Sequence, residues 1–374
     1  NSATYVVFGK ANTTAVNLTA LTAATNLTNA TSSLGFKINT TGTTAAGWSV
    51  SNAGDVNGDG LDDMLVANPT FGSNDGRVYL IYGKASGASV EVNTLPTLGA
   101  SNGVGFMVTA DTAIDGSATP RLSSVSSGDI NGDGYSDLVL GAWNTNTTAA
   151  TAGSVYVVYG NSTNTSVDIS TLTAAGNSRG FRINGEGYAG IDVAGVSDVN
   201  GDGLADVLLQ ANQGLVGTST NKGAAWVVFG KTNNDAVNVS SVEAGVGGFA
   251  INLGLDTTNN GAYAVSSAGD FNGDGLGDII VTHPNASYVN NGVTAASAGA
   301  AYIVFGKTGT GTVQITTLDG SEGFRIVNAY ANEFMGNAVS GGGDINGDGF
   351  DDVIIGDYKG DTTLTDNGKT YVVY

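Results

Sequence analysis

Short apolar runs recur along the chain at wide, nearly even spacing: Met64-Leu65-Val66, Leu138-Val139-Leu140, Val207-Leu208-Leu209, Ile279-Ile280-Val281 and Val353-Ile354-Ile355. They are too short for helices and rich in branched residues. Gly, Asn or Pro bounds them, so each predicts a buried β-strand. Four other patterns keep step with them. An aromatic-led strand is predicted at Tyr5–Phe8, Tyr79–Tyr82, Tyr156–Tyr159, Trp226–Phe229, Tyr302–Phe305 and Tyr371–Tyr374. A V-x-[ILV] segment follows, as at Val90–Val92, Val167–Ile169, Val237–Val239 and Val313–Ile315. A strand opening on Gly-Phe comes next, at Gly35, Gly105, Gly180, Gly248 and Gly323, and then a strand of small residues such as Val125-Ser126-Ser127-Gly128. Each repeat therefore predicts about four strands and no helix.

Between the small-residue strand and the apolar run lies the same nonapeptide every time, D-x-N-x-D-G-x-x-D. The copies begin at Asp55, Asp129, Asp198, Asp270 and Asp344, in steps of 74, 69, 72 and 74 residues. Positions 1, 3, 5 and 9 are Asp55, Asn57, Asp59 and Asp63; Asp129, Asn131, Asp133 and Asp137; Asp198, Asn200, Asp202 and Asp206; Asp270, Asn272, Asp274 and Asp278; Asp344, Asn346, Asp348 and Asp352. Hard oxygen donors alternating along a turn, with Gly at position 6, suit Ca²⁺. One such copy would be an ordinary turn, but five in phase predict about five bound calcium ions. Position 12 is apolar in every copy, not the bidentate Glu of an EF-hand. The ion is thus expected in a strand-to-strand connection.

Composition narrows the function classes. Gly supplies 58 of 374 residues, with no Cys and a single His. That suits many strands and tight turns, and it excludes disulfides, thiolate metal sites and Cys nucleophiles. The net charge of −20 argues against nucleic acid and anionic membrane partners. Of the 33 acids, 15 occupy positions 1, 5 and 9 of the five motifs. No run is long enough to span a bilayer. The first residue is Asn, so the expectation is a processed product or a segment of something longer.

A four-stranded sheet cannot cover both its faces, and radial stacking is the propeller solution. The small-residue strand suits the crowded centre and the aromatic-led strand an outer position. The expectation is an all-β fold, a β-propeller of about five four-stranded blades with a calcium loop in each. It forms one domain, residues 1–374, with repeats at 35–84, 105–160, 180–231, 248–307 and 323–374. Six aromatic-led strands stand against five of the others. Segment 1–34 is therefore available to complete the last blade or a neighbouring molecule.

The repeat resembles the FG-GAP repeat of integrin α-chain head domains and of secreted bacterial proteins. Phe334-Met335-Gly336 stands where the family has "FG", and Gly141-Ala142-Trp143 or Ala67-Asn68-Pro69 where it has "GAP". The resemblance implies the loop between the two innermost strands of each blade. It also implies a fifth ligand at position 7, the backbone carbonyl of Leu61, Tyr135, Leu204, Leu276 and Phe350. Integrin propellers carry the loop in only some blades, whereas all five repeats have it here.

No acid, base or nucleophile constellation stands apart from the metal motifs, and saturated calcium sites activate water poorly. The lone His283 precedes Pro284 and is expected in a turn. The reading is a non-catalytic, extracellular or cell-surface calcium-binding protein with a structural or adhesive role. Its expected partners are copies of itself, joined head to tail or by strand exchange, or another surface protein or a glycan. The alternative is a lectin-like, carbohydrate-binding propeller. Against it, the loop aromatics Phe71, Trp143, Tyr188, Tyr288 and Tyr358 do not align between repeats.

Overall fold

A computed structural model describes residues 2–11, 13, 15–18, 34–40, 47–69, 76–95, 103–110, 121–145, 152–163, 165–173, 177–217, 223–253, 264–290, 293–360 and 367–374. Phe71 lies outside them. The fold is all-β, a succession of small sheets, and the predicted repeat appears in it strand by strand. The small-residue strands are β3 (Val50–Gly54), β8 (Ser124–Gly128), β13 (Asp192–Val196), β18 (Val265–Gly269) and β25 (Ala338–Gly343). The apolar strands after the loops are β4 (Asp63–Asn68), β9 (Asp137–Ala142), β14 (Asp206–Ala211), β19 (Asp278–His283) and β26 (Asp352–Asp357). The aromatic-led strands are β1 (Ser2–Val7), β5 (Arg77–Ile81), β10 (Ser154–Val158), β15 (Ala224–Val228), β22 (Ala300–Val304) and β27 (Lys369–Val373). The Gly-Phe strands are β2 (Gly35–Thr40), β7 (Gly105–Thr109), β12 (Gly180–Asn184), β17 (Gly248–Asn252) and β24 (Gly323–Val327). The V-x segments are two-residue strands, β6 (Val90–Glu91), β11 (Val167–Asp168), β16 (Val237–Asn238) and β23 (Val313–Gln314). One excursion adds a hairpin, β20 (Tyr288–Asn290) and β21 (Val293–Ala295).

Four of the five classes pair antiparallel in a fixed order: small, apolar, aromatic-led, Gly-Phe. Blade 1 is β3-β4-β5-β7, blade 2 is β8-β9-β10-β12, blade 3 is β13-β14-β15-β17 and blade 4 is β18-β19-β22-β24. The V-x segment of the following repeat adds a short parallel fifth strand to blades 1, 2 and 3, as β11 does to β7. This corrects the four-strand expectation. The V-x segments then run into single helical turns, as at α1 (Val239–Glu243), where Val239 and Val242 bury one face. The aromatic-led strand is also not outermost. It lies third, between two full ladders, and Tyr79, Tyr156 and Trp226 are at most 2% exposed.

Two sheets are partial. Blade 5 is β25-β26-β27, and an N-terminal half-blade is β1-β2-β6.

The small-residue strands lie innermost, as predicted: β3 meets β8, β8 meets β13, β13 meets β18 and β18 meets β25. Side chains alternate across each sheet. On β9, Leu138 and Leu140 face blade 1 while Val139 faces blade 3. The core is thus a series of layers, one between each pair of neighbouring sheets. The half-blade supplies Phe36 and Ile38 to the first layer, against Tyr79 and Ile81 of blade 1.

The Gly-Phe dipeptide has a steric reason. Gly180 has φ of 142°, and a Cβ there would lie 1.9 Å from the Val157 carbonyl oxygen. The Phe beside it meets the last aromatic of the neighbouring strand edge-on, with Tyr159 and Phe181 centroids 6.2 Å apart. The next blade closes over this pair: Lys231 Nζ lies 4.1 Å from the Phe181 ring centroid.

His283 corrects a second expectation. It ends β19 inside the fold, 4% exposed, and neither ring nitrogen has a hydrogen-bond partner. Burial, and secondarily the Arg325 guanidinium, lowers its pKa from 6.5 to about 4. The native state therefore holds a neutral imidazole that the unfolded chain protonates below about 6.5. Stability is full above that pH and falls as pH drops toward 4, by up to about 3 kcal/mol. Urea titrations across this range should show a shallower loss for His283→Phe than for the parent; identical profiles would refute the assignment.

Candidate metal loops

Each nonapeptide joins the two innermost strands of its blade, and all five adopt one conformation. Its first Asp gathers backbone amides. In the first loop Asp55 Oδ1 accepts from the N–H groups of Gly58 (2.7 Å) and Asp59 (3.0 Å), and Oδ2 accepts from Gly60 (2.8 Å). Asn57 Oδ1 accepts from the Asp59 N–H at 2.8 Å, and its Nδ2 donates to Asp59 Oδ2 at 3.0 Å. Asp59 Oδ1 accepts from the Leu61 N–H at 2.9 Å. Gly at position 6 is required by its φ: 85°, 86°, 89°, 90° and 96° in the five loops.

Position 9 differs from the others because it is buried. Asp137 is fully buried; its Oδ2 accepts from the Ile130 N–H at 2.9 Å and its Oδ1 from the Gly160 N–H at 2.9 Å. It ties the start of the loop to the end of the aromatic-led strand. Asp63, Asp206 and Asp278 make the same pair of bonds. Burial pushes these carboxyls up, to about 7 for Asp63, 8 for Asp137, 7 for Asp206 and 6 for Asp278. Backbone amides oppose the shift, and the carboxylates at positions 1 and 5 add to it in blades 1, 2 and 3. A divalent cation among them would reverse that balance.

The donor chemistry fits calcium. Each loop offers three carboxylates and one amide oxygen on a short turn, with the position-7 carbonyls of Leu61, Tyr135, Leu204, Leu276 and Phe350 available beside them. At position 1, Asp55 Oδ1 accepts two amides and Oδ2 only one, so Oδ2 keeps a lone pair. Among the described residues, however, no three acidic side chains converge closely enough to hold an ion. The acids are engaged with main-chain amides.

The loops are also wired to each other, which the sequence did not reveal. The N–H at position 8 donates to the position-1 carbonyl of the preceding loop: Ser136 to Asp55 (3.0 Å), Ala205 to Asp129 (3.0 Å), Gly277 to Asp198 (2.7 Å) and Asp351 to Asp270 (3.2 Å). The position-7 side chain sits over the position-4 glycine before it. A Cβ at Gly58, Gly132, Gly201 or Gly273 would lie 2.5, 2.5, 3.2 or 2.5 Å from Tyr135, Leu204, Leu276 or Phe350. Of the loop aromatics, Trp143 and Tyr188 come together from neighbouring blades, centroids 6.0 Å apart.

The FG-GAP repeat family matches residues 46–81, 122–158, 261–315 and 335–373. Integrin alpha-PS5 of Drosophila melanogaster is 31% identical over 170 residues, 45% of this chain and 15% of that protein. Integrin alpha-PS3 of the same organism is 28% identical over 169 residues, 45% of this chain and 13% of its own length. A phosphatidylinositol-glycan-specific phospholipase D of Dictyostelium discoideum is 29% identical over 192 residues, 47% of this chain and 19% of that enzyme. The chain thus spans less than a fifth of the length of these relatives. No helix among the described residues is long and apolar enough to cross a membrane.

The position-9 carboxyls should matter to the fold even in chelator. Asp137→Ala strands two buried N–H groups and should cost about 2–6 kcal/mol. Asp133→Ala, at exposed position 5, should cost less than about 1 kcal/mol there. Denaturant melts in chelator compare them directly, and equal losses would contradict the assigned roles.

Proposed function

We propose, from the premise that this chain is an FG-GAP repeat protein, that it is a non-catalytic binding and adhesion module of the cell surface or extracellular space, stiffened by calcium. One observation carries the reading: five hard-oxygen loops of identical conformation stand side by side on the innermost strands, each hydrogen-bonded to the next. The similarity to integrin alpha chains supports the adhesive role. The expected partners are another surface protein and copies of the chain itself. The phospholipase activity named for the Dictyostelium relative belongs to that protein.

In each loop the ligands are the side chains at positions 1, 3, 5 and 9 and the carbonyl at position 7. Calcium supplies charge neutralisation and a cross-link where the chain has no Cys. The protein residues hold the turn open to it: the position-6 glycine bends the chain, and the position-1 carboxylate organises three amides, two in the fourth loop. Five ions return ten charges to a chain of −20.

A sugar-binding reading is favoured by one feature. Trp143 and Tyr188 make a half-buried aromatic pair, with the Arg121 guanidinium 6.0 Å from the Trp143 ring. A glycan array in calcium tests it, and binding lost in Trp143→Ala would establish it.

Extracellular modules bind calcium with Kd of about 10⁻⁴–10⁻³ M. At about ten times Kd each site contributes about 1.4 kcal/mol, and five about 7 kcal/mol. Chelation should therefore lower the melting temperature sharply, and a melt unchanged by EDTA would overturn the proposal. Asp202→Ala should bind four calcium ions at saturation by equilibrium dialysis where the parent binds five, with the loss confined to the third loop.

A further inference from the structure

A buried polar cluster lies between blades 4 and 5, at the ends of the strands remote from the acidic loops. Asn328 follows β24, Glu333 sits in the crossover to β25, Asp357 ends β26 and Lys369 opens β27. Asp357 and Lys369 are cross-strand partners. The same two places hold Asn68 and Arg77 in blade 1, Ala142 and Ser154 in blade 2, Ala211 and Ala224 in blade 3, and His283 and Ala300 in blade 4. Blade 5 alone sets an acid against a primary amine there.

The contacts converge on one side-chain amide. Asn328 Nδ2 donates to Glu333 Oε2 at 2.5 Å and to Asp357 Oδ2 at 3.0 Å. Asn328 Oδ1 accepts from the Tyr330 N–H at 3.1 Å. Lys369 Nζ lies 3.4 Å from Glu333 Oε1. A single carboxylate thus holds an amine on one oxygen and a carboxamide on the other. Little water reaches them: Asn328, Glu333 and Asp357 are 6%, 5% and 1% exposed, and the Tyr330 ring centroid lies 5.4 Å from Lys369 Nζ.

The crossover backbone is strained where it presents Glu333. Asn332 and Phe334, on either side of it, have φ of 65° and 59°, in the left-handed region that is costly for residues other than glycine. Their N–H groups donate to the carbonyls of Ala296 (2.9 Å) and Ser297 (3.1 Å) in blade 4. These bonds fix Glu333 between the amine and the amide.

We propose that Lys369 and Asn328 condense in the folded protein to an intramolecular isopeptide bond, with Glu333 as the catalytic residue. A lysine amine is a nucleophile once it is neutral, and holding it beside its target makes the attack effectively unimolecular. Burial alone would lower the Lys369 ammonium, but Glu333, Tyr371 and Asp357 hold it above its ordinary pKa, so the amine is freed by handing its proton to Glu333. The Nζ lone pair then forms a bond to Asn328 Cγ, and the charge that builds on Oδ1 is met by the Tyr330 N–H. Glu333 passes its proton to Nδ2 and takes the surplus proton from Nζ. The Cγ–Nδ2 bond breaks, and ammonia leaves with that proton as ammonium. Asp357 supports the departure from its contact with Nδ2; burial, and then the Glu333 carboxylate beside it, pushes its carboxyl up to about 6, which suits a proton donor. One amide replaces another, so no oxidant, metal or cofactor takes part. The bond would tie the blade 4 crossover to the third strand of blade 5, a covalent staple in a chain without Cys. This goes beyond the binding reading and needs neither calcium nor a partner.

The intact mass of the purified full chain provides the test. The parent should weigh about 17 Da less than its sequence, the mass of one ammonia. Trypsin should release residues 326–359 joined to 360–374, because an acylated Lys369 resists cleavage. Lys369→Arg keeps a positive charge beside Glu333, and Glu333→Gln keeps the shape of the side chain. Both variants should retain the parent's circular dichroism and show the full sequence mass. A parent at full sequence mass overturns the proposal. So does a loss of ammonia that persists in Lys369→Arg, and joined peptides formed as completely in Glu333→Gln would deny Glu333 its catalytic role.

Discussion

Every blade of this protein is apolar on both faces, and that constraint governs the rest. Along a middle strand such as β9, successive side chains enter two different core layers, so the strand is stable only with a sheet on each side. A lone blade would leave one full layer of Val, Leu, Ile and aromatic rings in water, at roughly 25 cal/mol per Å² of apolar surface. Stacking is therefore obligatory. Stability grows by nearest-neighbour contacts, as in other repeat arrays.

The acidic loops are part of this stacking as well as candidate metal sites. Their position-9 carboxylates are buried anchors, and in blades 1 to 4 each bridges the loop to the end of the aromatic-led strand of its own blade. Their position-1 carbonyls accept a hydrogen bond from the next loop, so the five turns form a continuous main-chain ladder around the inner strands. Calcium at these loops would therefore act on blade-to-blade geometry, not only on local turns. The strong negative charge of the chain is concentrated where a divalent ion would offset it.

The family match and the structure divide the chain differently. The FG-GAP segments begin just before the small-residue strand and in three of four cases run to the aromatic-led strand, the inner three strands of a blade. The third repeat, with its loop at Asp198, falls outside the matched segments yet has the same loop bonds and the same buried position-9 Asp. Its departure is Ser197 where the other four repeats have Gly before the loop. Geometry thus extends the repeat to five.

The strand classes, their order, the repeat length and the loop residues were all legible in the sequence, because they depend on local rules. Alternation, β-branching, turn glycines and oxygen-donor spacing act over a few residues and recur in phase. Pairing partners far along the chain were not legible. The V-x segments crossing into the preceding blade, the aromatic-led strand lying inside the sheet, and the burial of His283 all depend on which surfaces meet. The same holds for the position-9 Asp: one motif position among four by sequence, it becomes a buried anchor only when the aromatic-led strand brings its glycine N–H alongside. Sequence patterns record what each segment must bury; the three-dimensional stacking decides against what, since burial and hydrogen-bond satisfaction are settled by neighbours remote in the chain.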